Sequence, residues 1–173
     1  MLKLIHKISE LRFSQLMDVY LSGNQENGKE LYPYDHEDVQ LRKAEDDFYQ
    51  YLISVFFLQK DSFYAVWESE GHYVSALRLE PYSDGYLLSA LETAPGYRRC
   101  GYAKSLIHAV LVYMAGKGAS TIYSHVSKNN KASLSVHLDC GFHVIKDYSI
   151  YSDGSVLHYS FTLAYEYKKS EIN

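Results

Sequence analysis

The stretch that most limits how this chain can fold is residues 93–104, Thr-Ala-Pro-Gly-Tyr-Arg-Arg-Cys-Gly-Tyr-Ala-Lys. It leaves an apolar strand-like segment, turns through Pro95-Gly96, and enters a helical segment at about Gly101. Leu106, Ala109, Val110, Tyr113 and Met114 recur there at helical spacing, and Ile107, Leu111 and Val112 fill the other sides, which predicts a mostly buried helix. Gly116 and Gly118 close it. A helix start carries N–H groups without intrahelical partners and the positive end of the dipole, a combination suited to a phosphate or pyrophosphate. Gly101 permits close backbone approach, Ala103 leaves the next amide uncovered, and Arg98 and Arg99 add charge at the entrance. An ordinary strand–turn–helix with solvated arginines fits the same residues, because charges near helix starts are common. A Walker loop does not fit: Gly96 and Gly101 have its spacing, but Tyr102-Ala103 displaces Lys104-Ser105. The Gly-x-Gly-x-x-Gly dinucleotide fingerprint is absent.

Around this stretch the hydropathy pattern changes period twice. Leu2, Leu4 and His6 alternate with other residues and predict a short first strand. A helix follows Ser9, with Leu11, Leu16, Val19 and Tyr20 near one face; Gly23, Asn24, Asn27 and Gly28 are expected to end it and open a polar loop. Leu41, Ala44, Phe48, Tyr51, Leu52, Val55 and Phe56 then form the stripe of a second helix. Residues 63–67, 73–79 and 86–91 read as three antiparallel strands separated by Glu70-Gly71 and Ser83-Asp84-Gly85. Residues 121–126 are a further strand, and 142–151 with 156–165 flank Asp153-Gly154 as a terminal hairpin. Residues 132–140 alternate apolar positions with Ser133, Ser135, His137 and Asp139, so periodicity alone predicts a strand. Leu134/Leu138 and Val136/Cys140 are also helical pairs, with Gly141 as a stop.

At 173 residues without repeats or linkers, the chain fits one domain, and 47% apolar residues exclude intrinsic disorder. The net charge of -4 supplies no basic field for non-specific nucleic-acid binding. Cys100 and Cys140 make no disulfide framework, and free thiols in a reducing cytoplasm are expected. Residues 1–13 lack an apolar signal-peptide region and no run reaches transmembrane length, so a soluble chain with no membrane partner is expected. The eight histidines show no zinc spacing, so no metal is expected, and there is no Gly-x-Ser-x-Gly elbow.

Two motifs carry a resemblance to a known family. Arg98-Arg99-Cys100-Gly101-Tyr102-Ala103 resembles the Gln/Arg-x-x-Gly-x-Gly/Ala signature of the GNAT superfamily of N-acetyltransferases. Val126-x-x-x-Asn130-x-x-Ser133-x-x-Val136-His137-x-x-x-Gly141-Phe142 resembles its second pattern, with conservative changes at Ser133 and Val136 and histidine where many members have tyrosine. The resemblance covers roughly residues 60 to 165; the N-terminal third matches only in helical layout. It implies an α/β (α+β) fold: a mixed, mostly antiparallel sheet of six to seven strands flanked by about four helices, with splayed parallel central strands. It implies one N-acetyltransferase domain over 1–173, with acceptor-side helices in 1–60, central strands and the coenzyme A loop in 61–126, and a helix and hairpin in 127–173. Residues 132–140 then become a helix ending at Gly141, and strands 86–93 and 121–126 run parallel and splay apart.

The resemblance further implies acetyl-CoA as co-substrate and direct attack by an amine in a ternary complex. The pyrophosphate would meet the backbone amides from Arg99 through Cys100, Gly101, Tyr102 and Ala103 to Lys104, with Arg98 at the entrance. Pantetheine would pair with the backbone of Leu91 to Thr93, and Asn130 and Ser133 would contact its thiol end. His137 stands at the general-acid position and would protonate the departing thiolate. Glu92 is the only carboxylate between Asp84 and Asp139 and is the candidate base, directly or through water, although strand alternation would point it away from Leu91 and Thr93. His125 is a second candidate, and many family members use only ordered water. Cys100 reads as a small loop residue, with no partner to complete a Cys/His pair. The acceptor, a small-molecule or peptide amine, would meet residues 23–37 and 148–156, which supply Tyr32, Tyr34, Asp35, Glu37, Tyr148, Tyr151 and Asp153. Those aromatics and carboxylates suit a cationic amine, and they also suit solvated surface. A catalytically idle coenzyme A-binding sensor and an unrelated phosphate enzyme are the alternatives, and exposed sheet edges leave room for a homodimer.

Overall fold

The computed structural model describes residues 1–151 and 153–168. Strands β1 (Leu2–Ile5), β2 (Phe63–Ser69), β3 (His72–Tyr82), β4 (Gly85–Thr93), β5 (Thr121–Ser127), β6 (His143–Lys146) and β9 (Ser160–Glu166) form one seven-stranded sheet. Its order is β1-β2-β3-β4-β5-β9-β6, and every neighbouring pair is antiparallel except β4 and β5. Helices α1 (Phe13–Leu31) and α2 (Glu37–Ser54) cover one face, while α3 (Tyr102–Gly116) covers the other beside the short α4 (Lys131–Asp139).

Alternation along the central strands feeds two cores. Ala65, Leu77, Leu79 and Leu88 pack with Leu106, Ile107, Val110 and Met114 of α3. Tyr64, Val66 and Ala76 face the other way, onto Leu16, Val19 and Tyr20 of α1 and Leu52 of α2. A sheet buried on both sides needs apolar residues at nearly every position, which is why the central strands read as continuous runs. Each such side chain contributes about 1.5–3 kcal/mol relative to exposure.

Three expectations need correction. Helix α1 does not end at Gly23 but runs through Gly23 and Gly28 to Leu31, leaving only residues 32–36 before α2. A Cβ on Gly28 would lie 2.7 Å from the carbonyl oxygen of Gln40, so this glycine lets α1 and α2 touch backbone to backbone. Glycine here serves close approach, and the packing outweighs its propensity cost of about 1 kcal/mol. The expected polar loop is accordingly short, with Tyr32 hydrogen-bonded to Asp47 and Lys43 paired with Asp35 at 2.6 Å.

Residues 132–140 form the helix that the family resemblance implies, α4 and the turn that ends it, and not the strand that periodicity alone predicts. Asn130 caps the helix by accepting from the Ser133 N–H at 3.0 Å, and Gly141, at φ 92°, ends it. The only fully buried residue of α4 is His137, so the inward face is anchored by a polar ring and leaves no apolar stripe to read. The terminal hairpin is likewise interrupted: β6 pairs with β9, whereas β7 (Ser149–Ile150) and β8 (Val156–Leu157) form a separate two-stranded ribbon.

The two glycine roles separate on substitution. Gly28→Ala should lower unfolding stability by about 1–3 kcal/mol in urea titrations, because the new methyl meets backbone. Gly116→Ala, at a helical position with nothing within 4 Å, should raise it by up to about 1 kcal/mol. Equal effects would remove the close-approach explanation.

Candidate active site

The parallel pairing of β4 with β5 is short. It joins Tyr86 to Ile122, Leu87 to Tyr123 and Leu88 to Ser124, and then stops, although β4 continues to Thr93 and β5 to Ser127. The cause lies on the other edge of β4. Between the Arg78↔Ser89 and Ala76↔Glu92 pairs, Ala90 and Leu91 stand against the single residue Leu77, and Ala90 has φ 51°. This bulge bends β4 away from β5. The Tyr20 hydroxyl donates to the Ala90 carbonyl at 2.6 Å and so supports the bend from α1. Leu91, Glu92 and Thr93 all border the cleft that opens, with Leu91 packed on the α3 core and the Glu92 carboxylate on the other side, beside Gly23 of α1.

The cleft has a volume of about 700 Å³. One wall is the turn into α3. Gly101 caps that helix at φ 82°, a left-handed conformation that costs a non-glycine residue about 1–2 kcal/mol. No side chain caps the helix, and its first backbone bond runs from the Ser105 N–H to the Gly101 carbonyl. The amides of Tyr102, Ala103 and Lys104 precede that bond and belong to residues lining the cleft. Arg99 lines it too, at φ 63°. Arg98 turns toward α1: its Nε donates to the Thr93 carbonyl at 3.1 Å and its Nη2 to Ser22 Oγ at 2.9 Å. Lys104 is paired at 2.7 Å with Asp139 of α4, which spans from one wall to the other. Cys100 is exposed and absent from the lining.

The opposite wall is α4, with Asn130 and Ser133 facing the cleft. His137 lies behind them, 1% exposed and outside the lining. Its Nδ1 is 2.8 Å from the Ser133 carbonyl, which can only accept, so Nδ1 carries the proton and Nε2 accepts from Ser124 Oγ at 3.0 Å. Burial pushes the imidazole pKa down, partly opposed by that carbonyl. The ring is therefore a neutral tie between α4 and β5, with neither nitrogen directed at the cleft.

Glu92 closes the end of the cleft nearest α1. A Cβ on Gly23 would come within 2.6 Å of Glu92 Oε1, so Gly23 makes room for this carboxylate inside the helix packing. Burial raises the Glu92 pKa, Arg98 opposes the shift, and Glu26 adds to it. Gly23 and Glu26, within the expected acceptor segment 23–37, line the cleft from α1, while Ser22, Tyr97, Ala132, Val136 and Asp139 are lining residues that sequence reasoning misses. Ser22 and Glu26 share a helix face by their i, i+4 spacing, but that signal is invisible once the helix is ended at Gly23.

The other expected residues lie elsewhere. None of Tyr32, Tyr34, Asp35, Glu37, Tyr148, Tyr151 and Asp153 lines the cleft, and Tyr34 is 99% exposed. Ser152, within the expected acceptor segment, lies outside the described residues. His125 is half-buried between Tyr82 and Tyr151, and burial and Lys146 push its pKa down. Among the described residues no group of side chains is suited to hold a metal ion, and no helix is long and apolar enough to cross a membrane.

The sequence model of the acetyltransferase (GNAT) family matches residues 24–142. No curated protein matches the sequence. Among solved structures, the chain is similar to the PaiA N-acetyltransferase of Thermoplasma acidophilum in complex with coenzyme A, with TM-score 0.60 at 15% identity over 96% of this chain and 99% of that one. It is similar to the ribosomal-protein-S18-alanine N-acetyltransferase of Escherichia coli, with TM-score 0.61 at 14% identity over 96% and 94%. An aminoglycoside 6'-acetyltransferase type Ii gives TM-score 0.62 at 14% identity over 96% of each chain. At these identities the likeness is one of fold.

The buried carboxylate has a stability signature. Glu92 is raised in the folded state, so folding favours its protonated form: its cost is absent below the ordinary carboxylate range and grows as pH rises through the folded pKa. Glu92→Gln should therefore be more stable than the parent in urea titrations at pH 7, with the difference shrinking toward pH 4. A difference that is constant with pH would contradict the buried ionised state.

Proposed function

The chain belongs to the acetyltransferase (GNAT) family, and from that premise we propose that it transfers an acetyl group from acetyl-CoA to a primary amine of a small molecule or peptide by direct attack in a ternary complex. The observation that carries this reading is the loss of β4–β5 pairing beyond Leu88 and Ser124, which opens a strand edge next to an uncapped helix start. Acetyl-CoA would supply an activated thioester. The amides of Tyr102, Ala103 and Lys104, with Arg99, suit its pyrophosphate. The free edge of β4 from Leu91 to Thr93 suits the amides of pantetheine, with Asn130 and Ser133 across from it.

In the transfer, the amine nitrogen bonds to the thioester carbonyl carbon and the carbon–sulfur bond breaks. The nitrogen loses one proton and the thiolate gains one, giving an amide and free thiol. Glu92, with its raised proton affinity and its place in the cleft, would take the nitrogen's proton directly or through water. His137, with both nitrogens engaged away from the cleft, would act as a positioning residue that seats α4 on β5, leaving water in the open cleft to protonate the thiolate. The enclosure of His137 also favours a second reading, a coenzyme A-binding module without turnover. Release of thiol in the presence of amines separates the two.

Calorimetric titration tests the reading: acetyl-CoA should bind and ATP should not, and folded protein that binds neither would remove it. For His137→Ala, the positioning role predicts a raised KM for acetyl-CoA and a kcat–pH profile of unchanged shape. A role as general acid predicts instead a kcat lower by roughly 10²–10⁴-fold and loss of the alkaline limb.

A further inference from the structure

Outside the cleft lining, buried side-chain atoms of five described residues lack hydrogen-bond partners, and four of these residues, Tyr64, Arg78, Ser89 and His125, stand on the adjacent strands β2 to β5. Arg78 of β3 pairs across the sheet with Ser89 of β4, which places both side chains on one face. The last β4–β5 pair is Leu88 with Ser124, so Ser89 and His125 are the next residues, at the point where the strands part. Leu88 faces α3, so Ser89 and His125 face the α1/α2 side with Arg78, whose guanidinium lies over the rings of Tyr51 and Phe56 at 5.1 and 5.6 Å. The row spans about 10 Å from backbone to backbone at ordinary strand spacing.

Arg78 Nε, Ser89 Oγ and both ring nitrogens of His125 are sealed from solvent with no hydrogen-bond partner. No ion pair among the described residues includes Arg78. Buried polar groups are ordinarily paired, and although burial opposes the Arg78 charge while the neighbouring tyrosines and Glu80 favour it, its Nε has no hydrogen-bond partner. A guanidinium Nε, a hydroxyl and an imidazole in one row, each without a partner, are complementary to an oxyanion: the Nε–H and the hydroxyl donate, and the imidazole donates through whichever nitrogen is protonated. Tyr82, held by its hydroxyl's 3.1 Å bond to the Ile150 carbonyl, packs on His125 at 5.4 Å, and the exposed Tyr151 packs on it as well.

We propose that Arg78, Ser89 and His125 form an oxyanion subsite that takes a carboxylate or phosphoryl group of the acceptor, so that the acceptor is an amine carrying an anionic group. Calling the ligand an acceptor rests on the acetyltransferase reading; the oxyanion binding does not. The subsite is three residues along β4 from Glu92, about 10 Å at ordinary strand rise, and that is the span the acceptor would need between its anionic end and its amine.

The test is a titration of the full chain with sodium acetate and with sodium phosphate at constant pH and ionic strength. Sodium chloride is the control, and the His125 imidazole resonances are followed by NMR. Expected is a saturable change with acetate or phosphate and none with chloride, weakened at least tenfold in Arg78→Met and measurably in Ser89→Ala. Saturation by acetate alone assigns a carboxylate, and by phosphate alone a phosphoryl group. No saturable change in the parent, or equal affinity in the variants, overturns the subsite; should Arg78→Met not fold, Ser89→Ala decides. Acetyl-CoA is titrated separately into the same parent sample. Oxyanion binding without acetyl-CoA binding would sink the transferase reading alone, and the converse would sink only the subsite.

Discussion

Everything distinctive about this molecule depends on a failure of backbone pairing in the middle of its sheet. An interior strand edge that carries free N–H and C=O groups is unfavourable unless something satisfies them. Here the edge is created by two residues of β4, Ala90 and Leu91, opposing the single Leu77 of β3. Tyr20 reaches from α1 to bond the Ala90 carbonyl, so the helix layer on one face stabilises an opening that runs through the sheet. The rest of the β4 edge is left facing the cleft, and Leu91 to Thr93 border it, with Leu91 packed on the α3 core and the Glu92 carboxylate beside Gly23 of α1.

The far wall is held by a different kind of force. Helix α4 has nine residues, and a helix that short is marginal without tertiary anchors. Its anchors are polar: the Asn130 cap, the His137 ring tied to Ser124 and the Ser133 carbonyl, and the Lys104–Asp139 pair to α3. That last pair is half-exposed on both sides and contributes little on its own. Hydrogen bonding through a buried neutral imidazole fixes orientation more sharply than apolar contact does. The cost is that both imidazole nitrogens are consumed by the wall.

The sequence made some of this legible and hid the rest for identifiable reasons. The phosphate-loop stretch was readable because its signals are local: a proline-glycine turn, a glycine at positive φ and a solid apolar helix lie within a few residues of one another. Strand existence in residues 63–91 was readable from turn residues and apolar runs. The end of α1 was misread because Gly23 and Gly28 look like helix stops, while their true reason lies in Glu92 and Gln40, distant in sequence. With the helix ended early, Ser22 falls outside the expected site and Glu26 reads as part of a loop rather than of a helix face. Periodicity misread α4 because its buried face is a histidine. The GNAT resemblance supplied that helix, and supplied His137 as an acid, but it carries no information about which way the ring points. The bulge at Ala90 had no signal, since alanine there gives no hint of φ 51°.

The same opening explains why two charged groups are tolerated where a core would reject them. Glu92 and Arg78 sit on neighbouring strands, near one another along the chain's fold but on either side of the bulge at Ala90. Each is partly withdrawn from water, Glu92 against the Gly23 gap in α1 and Arg78 against the rings of Tyr51 and Phe56. They do not neutralise each other, since no ion pair joins them among the described residues. A fold optimised only for stability would replace both with apolar residues of similar size, an exchange that is often neutral or favourable. Their retention as separate, unpaired charges costs stability in a sheet that is otherwise closely packed, and local costs of this kind gather where a surface is shaped for something other than itself.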